Sequence, residues 1–136
     1  MESKDIRWKQ RFEYFENALA SLKEIIDENS DEATDTVIDA SIQRFEIAFE
    51  LAWKTLQDYL TEQGYIEYKG PKRIIAKAFQ DKIIVDGEMW VSMHADRNIL
   101  SHNYDYDKSR IIYERIVKNY IPLFIQLQRT LTDANL

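Results

Sequence analysis

Apolar residues in this chain recur every three or four positions and are interrupted by a few short polar stretches. Phe12, Phe15, Leu19, Leu22 and Ile26 fall on one stripe and predict a helix from about Lys4 to Asp27. The polar run Glu28-Asn29-Ser30-Asp31-Glu32 breaks it. A longer stripe, Val37, Ile38, Ile42, Phe45, Phe49, Ala52, Trp53, Leu56 and Leu60, predicts a second helix over about Ala33 to Gln63. Gly64 suits its left-handed cap position. After a loop from Tyr65 to Gly70, Pro71 fits a first helical position and opens a short third helix to Gln80, with Ile74, Ile75, Ala78 and Phe79 inward. Asp81 to Gly87 reads as a turn, and its Ile83-Ile84-Val85 patch is too short for a strand. A fourth helix is expected from about Glu88 to Leu100 or Ser101, with Met89, Trp90, Met93 and Arg97 sharing a face. Asn103 to Asp107 is a polar-aromatic turn, and Asp107 is the expected N-cap of a fifth helix from about Lys108 to Leu131. Ile111, Ile112, Ile116, Tyr120, Leu123, Phe124 and Leu127 line that helix, while Pro122 inside it should kink it or leave one carbonyl unpaired.

This pattern predicts an all-α fold: an up-and-down bundle of four helices with one additional short helix. Three glycines and two prolines are few enough to agree. A length of 136 residues fits a single domain spanning 1–136. The absence of cysteine removes disulfides, thiol catalysis and thiolate metal sites. No run of eighteen apolar residues is present, so no membrane partner is expected. The opening residues, Met1 to Trp8, are charged and lack a signal-peptide core, which points to a cytoplasmic protein. A net charge of −6 argues against coating nucleic acid by bulk attraction, and no DNA partner is expected. It leaves room for a small local basic site or a basic partner protein. Aromatic residues make up 12% of the chain, enough for a core and a substantial interface.

Candidate chemistry concentrates in Arg97-Asn98-Ile99-Leu100-Ser101-His102-Asn103-Tyr104. It holds a fixed cation, a titratable imidazole and a phenol, at the point where the helical pattern stops. Five residues along a helix is about 500°, so Arg97 and His102 sit about 140° apart on a straight helix. They converge if the helix ends near Ser101 and the chain turns, or if a twofold dimer brings two copies together. Tyr104, two residues on, falls on the side of His102 in an extended turn. One reading is phosphodiester chemistry without a metal or cofactor. Arg97 neutralises charge on a pentacoordinate phosphorus, and His102 moves the proton of a ribose 2′-hydroxyl or of the leaving oxygen. The plainer reading makes Arg97 a surface cation, His102 a partner of the helix dipole and Tyr104 a packing residue. His94 and His102, with Asp96 and Asp105, do not form a metal-ligand pattern, and His94 reads as an exposed or satisfied helix residue. Glu46, Glu50 and Lys54 repeat at four-residue spacing and suit a ladder of ion pairs.

The Arg97-x-x-x-x-His102-x-Tyr104 run, with Asn98 directly after the arginine, resembles the signature of HEPN domains. Within them it is most similar to the HepT toxins, also described as the nucleotidyltransferase substrate-binding protein family. Arg44-Phe45-Glu46-Ile47-Ala48-Phe49-Glu50-Leu51-Ala52-Trp53-Lys54 resembles that subgroup's second-helix motif. The likeness covers about residues 5 to 131. It implies a helical bundle that forms a homodimer with two Arg/His motifs facing each other. It implies a metal-independent endoribonuclease, hence an RNA substrate, with Arg97 and His102 as its catalytic pair. It also implies a cognate MNT-type nucleotidyltransferase antitoxin that transfers AMP to Tyr104. Bulk and negative charge on Tyr104 would then occupy the place of an RNA phosphate. Glu46, Glu50 and Trp53 share one side of the second helix, where a carboxylate can orient Arg97 or simply form a buried ion pair beside a core tryptophan.

Three functions compete at this point. The first is a ribonuclease toxin controlled at Tyr104. The second is a non-catalytic substrate- or nucleotide-binding subunit of a nucleotidyltransferase complex, which the acidic balance mildly favours. The third is a helical assembly protein whose aromatic residues serve an interface.

Overall fold

The structure, a computed structural model, describes residues 2–102 and 105–135, and the side chains of residues 7–100 and 105–135. The elements are α1 (Glu2–Glu28), α2 (Asp35–Glu62), α3 (Pro71–Gln80), α4 (Gly87–His102), α5 (Tyr106–Arg115), a π-helical turn (Ile116–Tyr120) and α6 (Ile121–Ala134). Among the described residues there is no strand. The last three elements run on without a break, so four long helical segments and short α3 make the expected bundle.

Contacts across the elements set their directions. Trp8 packs edge-on against Tyr59, Arg11 pairs with Asp58, and Arg44 donates to the Ser21 carbonyl, so α1 and α2 are antiparallel. Arg110 pairs with Asp35 while Tyr120 stacks on Phe45, so the α5–α6 run goes the same way as α2. Between these helices lies an aromatic core of Trp8, Phe12, Phe15, Phe45, Phe49, Trp90, Tyr120 and Phe124, each at most 3% exposed. Phe124 sits at its centre and touches Phe15, Phe45 and Trp90. Burying a side chain of this class contributes about 1.5–3 kcal/mol relative to leaving it in water.

Helix ends follow local chemistry. The Thr34 hydroxyl accepts from the Val37 amide and caps α2. At its other end Gly64 has φ +104°, and the Gly64 and Tyr65 amides donate to the carbonyls of Thr61 and Leu60. That pair of bonds is a Schellman closure, which needs a residue tolerant of positive φ.

Several expectations are corrected. Phe79 faces outward and is 52% exposed, while Lys77 is buried in its stead. Ile74, Ile75 and Ala78 already fill the inward stripe of α3, and the Phe79 ring lies across Gly87, where a Cβ would come within 2.9 Å of it. Lys77 Nζ stands 4.0 Å from the centre of the Tyr65 ring and pairs with Asp81 at 3.1 Å, which is how a cation tolerates that position. The N-cap of the last helical run is Asp105, not Asp107. Asp105 has extended backbone and accepts from the Asp107 and Lys108 amides, which places Asp107 inside the first turn. The expected disturbance at Pro122 takes the form of the π turn just before it, where the Ile121 amide reaches back to the Ile116 carbonyl. The Glu46–Glu50–Lys54 ladder does not form as expected, because Glu50 turns to Trp53 and Arg97, and Lys54 lies over the Trp53 ring. Trp53 is half-buried rather than a core residue. Finally, α4 continues through His102 instead of stopping at Leu100 or Ser101.

Candidate functional site

The site forms where α2, α3 and α4 meet. Arg97 extends from α4 toward α2, and one terminal nitrogen lies 3.5 Å from Glu50 Oε2. That distance is beyond a good N–H···O bond, so the attraction is mainly Coulombic. Both side chains are 31% exposed. The other Glu50 oxygen accepts a 2.7 Å bond from the Trp53 indole, which holds the carboxylate in place. Among the described residues, Arg97 Nε is shielded and has no hydrogen-bond partner. One turn nearer the N-terminus of α2, burial pushes the Glu46 carboxyl above its ordinary range, and the Arg97 charge partly offsets this.

His94 stands one turn before Arg97 on the same side of α4. Its ring stacks on Phe49 with centroids 5.7 Å apart and planes inclined by 21°. Its Nε2 is 3.5 Å from the Asn98 amide nitrogen, and its Nδ1 is buried without a partner. Burial first, and then the charges of Lys72 and Arg97, lower its pKa, with Glu50 acting in opposition. The imidazole is therefore held neutral near pH 7.

On the far side of α4, Asp96 is 3% exposed. It takes two bonds from an Arg115 terminal nitrogen, at 2.8 and 3.0 Å, and a third from the Tyr120 hydroxyl. Ser92 shares the Tyr120 hydroxyl at 3.1 Å.

The structure thus brings Arg97, Asn98, Glu46 and Glu50 into one region. His102 is the last residue of α4. No chain turn separates it from Arg97, and the two lie about 140° apart around one helix axis. The side chain of His102 and all of Tyr104 fall outside the described residues. Among the described residues, no three His, Cys, Asp or Glu side chains cluster to hold a metal ion. His94, Lys72 and the Asp96 network were not foreseen as parts of this region. The spacing of His94 to Arg97, three residues on a helix, was the available signal. Nothing in the sequence pairs Asp96 with Arg115.

A site of this make-up offers a planar cation with an unpaired donor, a neutral imidazole and an amide, in a region where one carboxylate already serves the arginine. It can receive an anion with fixed geometry. Comparison with known proteins gives context. A family model described as nucleotidyltransferase substrate binding protein like matches residues 10–133. A Haemophilus influenzae protein named Probable ribonuclease HepT is 35% identical over 86 residues, 60% of this chain and 59% of that protein. The match thus spans under two thirds of that relative's length. A Thermus thermophilus protein of known crystal structure superposes with a TM-score of 0.72 at 32% identity, over 89% of this chain and 98% of that one. A Haemophilus influenzae structure, described as the fold of a substrate binding domain of a nucleotidyltransferase, superposes with a TM-score of 0.76 at 28% identity, over the same shares. The chain belongs to the nucleotidyltransferase substrate binding protein like family.

Proposed function

We propose that this chain is the toxin of a HEPN/MNT-type pair, a metal-independent endoribonuclease that uses Arg97 and His102. The observation that carries the reading is Arg97 itself. Among the described residues its guanidinium meets Glu50 at 3.5 Å and keeps an unpaired Nε, in a chain similar to a protein named Probable ribonuclease HepT. In cleavage, His102 takes the 2′-hydroxyl proton, the freed oxygen bonds to phosphorus, and the 5′-oxygen leaves with a proton from a second imidazole. Arg97 stabilises the charge on the pentacoordinate phosphorus. Glu50, and Glu46 behind it, orient Arg97, and Asn98 supports the same turn. A homodimer supplies the second motif. Exposed Ile99 and Ile111, beside an open pocket of about 210 Å³ between α4 and α5, give a second copy an apolar surface to cover. Control comes from a cognate nucleotidyltransferase, which bonds AMP to the Tyr104 oxygen with loss of pyrophosphate from ATP.

The family description and the structural relative favour a second reading, a substrate-binding subunit of a nucleotidyltransferase that does not cleave RNA. One experiment separates them. Purified protein is incubated with RNA in EDTA, alongside Arg97→Ala and His102→Ala. Cleavage by the wild type only supports the ribonuclease. Intact RNA in all three, with a cognate nucleotidyltransferase adding AMP-sized mass to the wild type and none to Tyr104→Phe, supports the binding subunit.

A further inference from the structure

We propose that His94 is a phosphate-binding residue of the Arg97 site, taking up one phosphodiester group of a nucleic-acid strand together with Arg97 and Lys72. The inference extends the ribonuclease reading but rests on its own geometry. His94 and Arg97 are one turn apart on α4, and each carries a shielded nitrogen with no partner, His94 Nδ1 and Arg97 Nε. An unmade hydrogen bond at a shielded nitrogen is costly, so an acceptor that displaces the groups covering these two gains there. A phosphodiester presents two free oxygens with acceptor capacity on both sides, which suits an arginine and an imidazole side by side.

The surroundings fix what His94 does. Phe49 stacks on one face of its ring. The charged groups facing it are Glu50 from α2, Lys72 from α3 and Arg97 from α4. Glu46, behind Glu50 on α2, also feels the Arg97 charge, and burial pushes its carboxyl up. An arriving phosphate adds a negative charge beside the ring and favours the imidazolium. Binding therefore takes up a proton from solvent at His94, and affinity rises as pH falls through the range of that imidazole. Glu50 limits the site to one phosphate by keeping its own hold on Arg97.

The chain has two histidines, which makes the test direct. Imidazole resonances are followed by NMR against pH, with and without a 2′-deoxydinucleotide, whose phosphodiester keeps one charge throughout and cannot be cleaved through a 2′-oxygen. The resonance missing in His94→Phe is His94, and that variant keeps a ring against Phe49. We expect the ligand to raise the proton affinity of His94 by about tenfold. His94→Phe should bind about tenfold more weakly. Lys72→Ala, at an exposed position, should bind about threefold more weakly with a shallower salt dependence. An unmoved His94 midpoint at saturation, unchanged affinity in His94→Phe, or no binding by the wild type overturns the assignment. The two failures stay separate. A moving His94 in a protein that never cleaves RNA sinks the ribonuclease reading alone. RNA cleavage with a silent His94 sinks only this one.

Discussion

Asp96 and Arg97 are neighbours in sequence and opposites in situation. Asp96 accepts from Arg115 and Tyr120 and is sealed from water. Arg97 holds one carboxylate at 3.5 Å and has a donor with nothing to donate to. A buried carboxylate survives only when its oxygens are satisfied, so the Asp96 face is complete as it stands. A guanidinium that is 31% exposed keeps capacity at its terminal nitrogens, which water serves until a ligand arrives. The difference teaches how to read charge pairs: the saturated pair holds the helix, and the unsaturated pair awaits a ligand.

The sharpest way to break this contrast is to truncate each residue in turn. Asp96→Ala should lower stability by about 3 kcal/mol in urea unfolding, since it leaves the buried Tyr120 hydroxyl with Ser92 alone and frees Arg115. Arg97→Ala should change stability by less than about 1 kcal/mol. Its RNA cleavage, or nucleotide binding if cleavage is absent, should fall by about 100-fold or more. A stable Asp96→Ala protein, or an unfolded Arg97→Ala one, would erase the distinction.

A pH titration tests the saturated side alone. Burial, and the bond to Asp96, push the Tyr120 phenol up to about 12, above the ordinary 10. A raised acid pKa in the folded state means that the unfolded chain ionises first. Stability from this group is therefore full below pH 10 and is lost as pH climbs toward 12. Denaturant midpoints measured across that window should decline, and the decline should flatten in Tyr120→Phe.

The smallest effect belongs to Glu50→Gln. The amide oxygen can still accept from Trp53, so stability should stay within about 0.5 kcal/mol. Removing the competing charge should tighten deoxydinucleotide binding about twofold to threefold, read by the same NMR titration.

The bundle was legible because its signals are local. Pro71 and Gly64 stand where chain stops and starts require them, and the stripes of α1 and α2 repeat without ambiguity. The N-cap slipped by two residues because Asp105 and Asp107 offer the same side chain, and only backbone angle separates them. Arg97, Glu46 and Glu50 were singled out by motif likeness, and the structure brings them into one region. Asp96, Arg115 and Tyr120 are not linked by spacing, since their separations of 19 and 24 residues pass from α4 into the α5–α6 run. The stack of His94 on Phe49 depends likewise on how α2 meets α4, which no spacing along one helix encodes.

The wide turn at Ile116–Tyr120 has a consequence for the timing of side chains around the helix. Ile112, Ile116, Tyr120 and Phe124 are spaced by four, yet all are at most 3% exposed. In an uninterrupted α-helix each such step overshoots by about 40°, and three steps carry the last residue about 120° out of phase. One extra residue in the turn absorbs nearly all of that drift. The segment works as a phase corrector that keeps both halves of a long helix aimed at one core. Deleting a single residue from it would restore ideal winding and leave everything from Pro122 onward aimed as before, whereas rewinding it as α-helix with every residue kept would swing that segment about 100° away from Phe15 and Trp90.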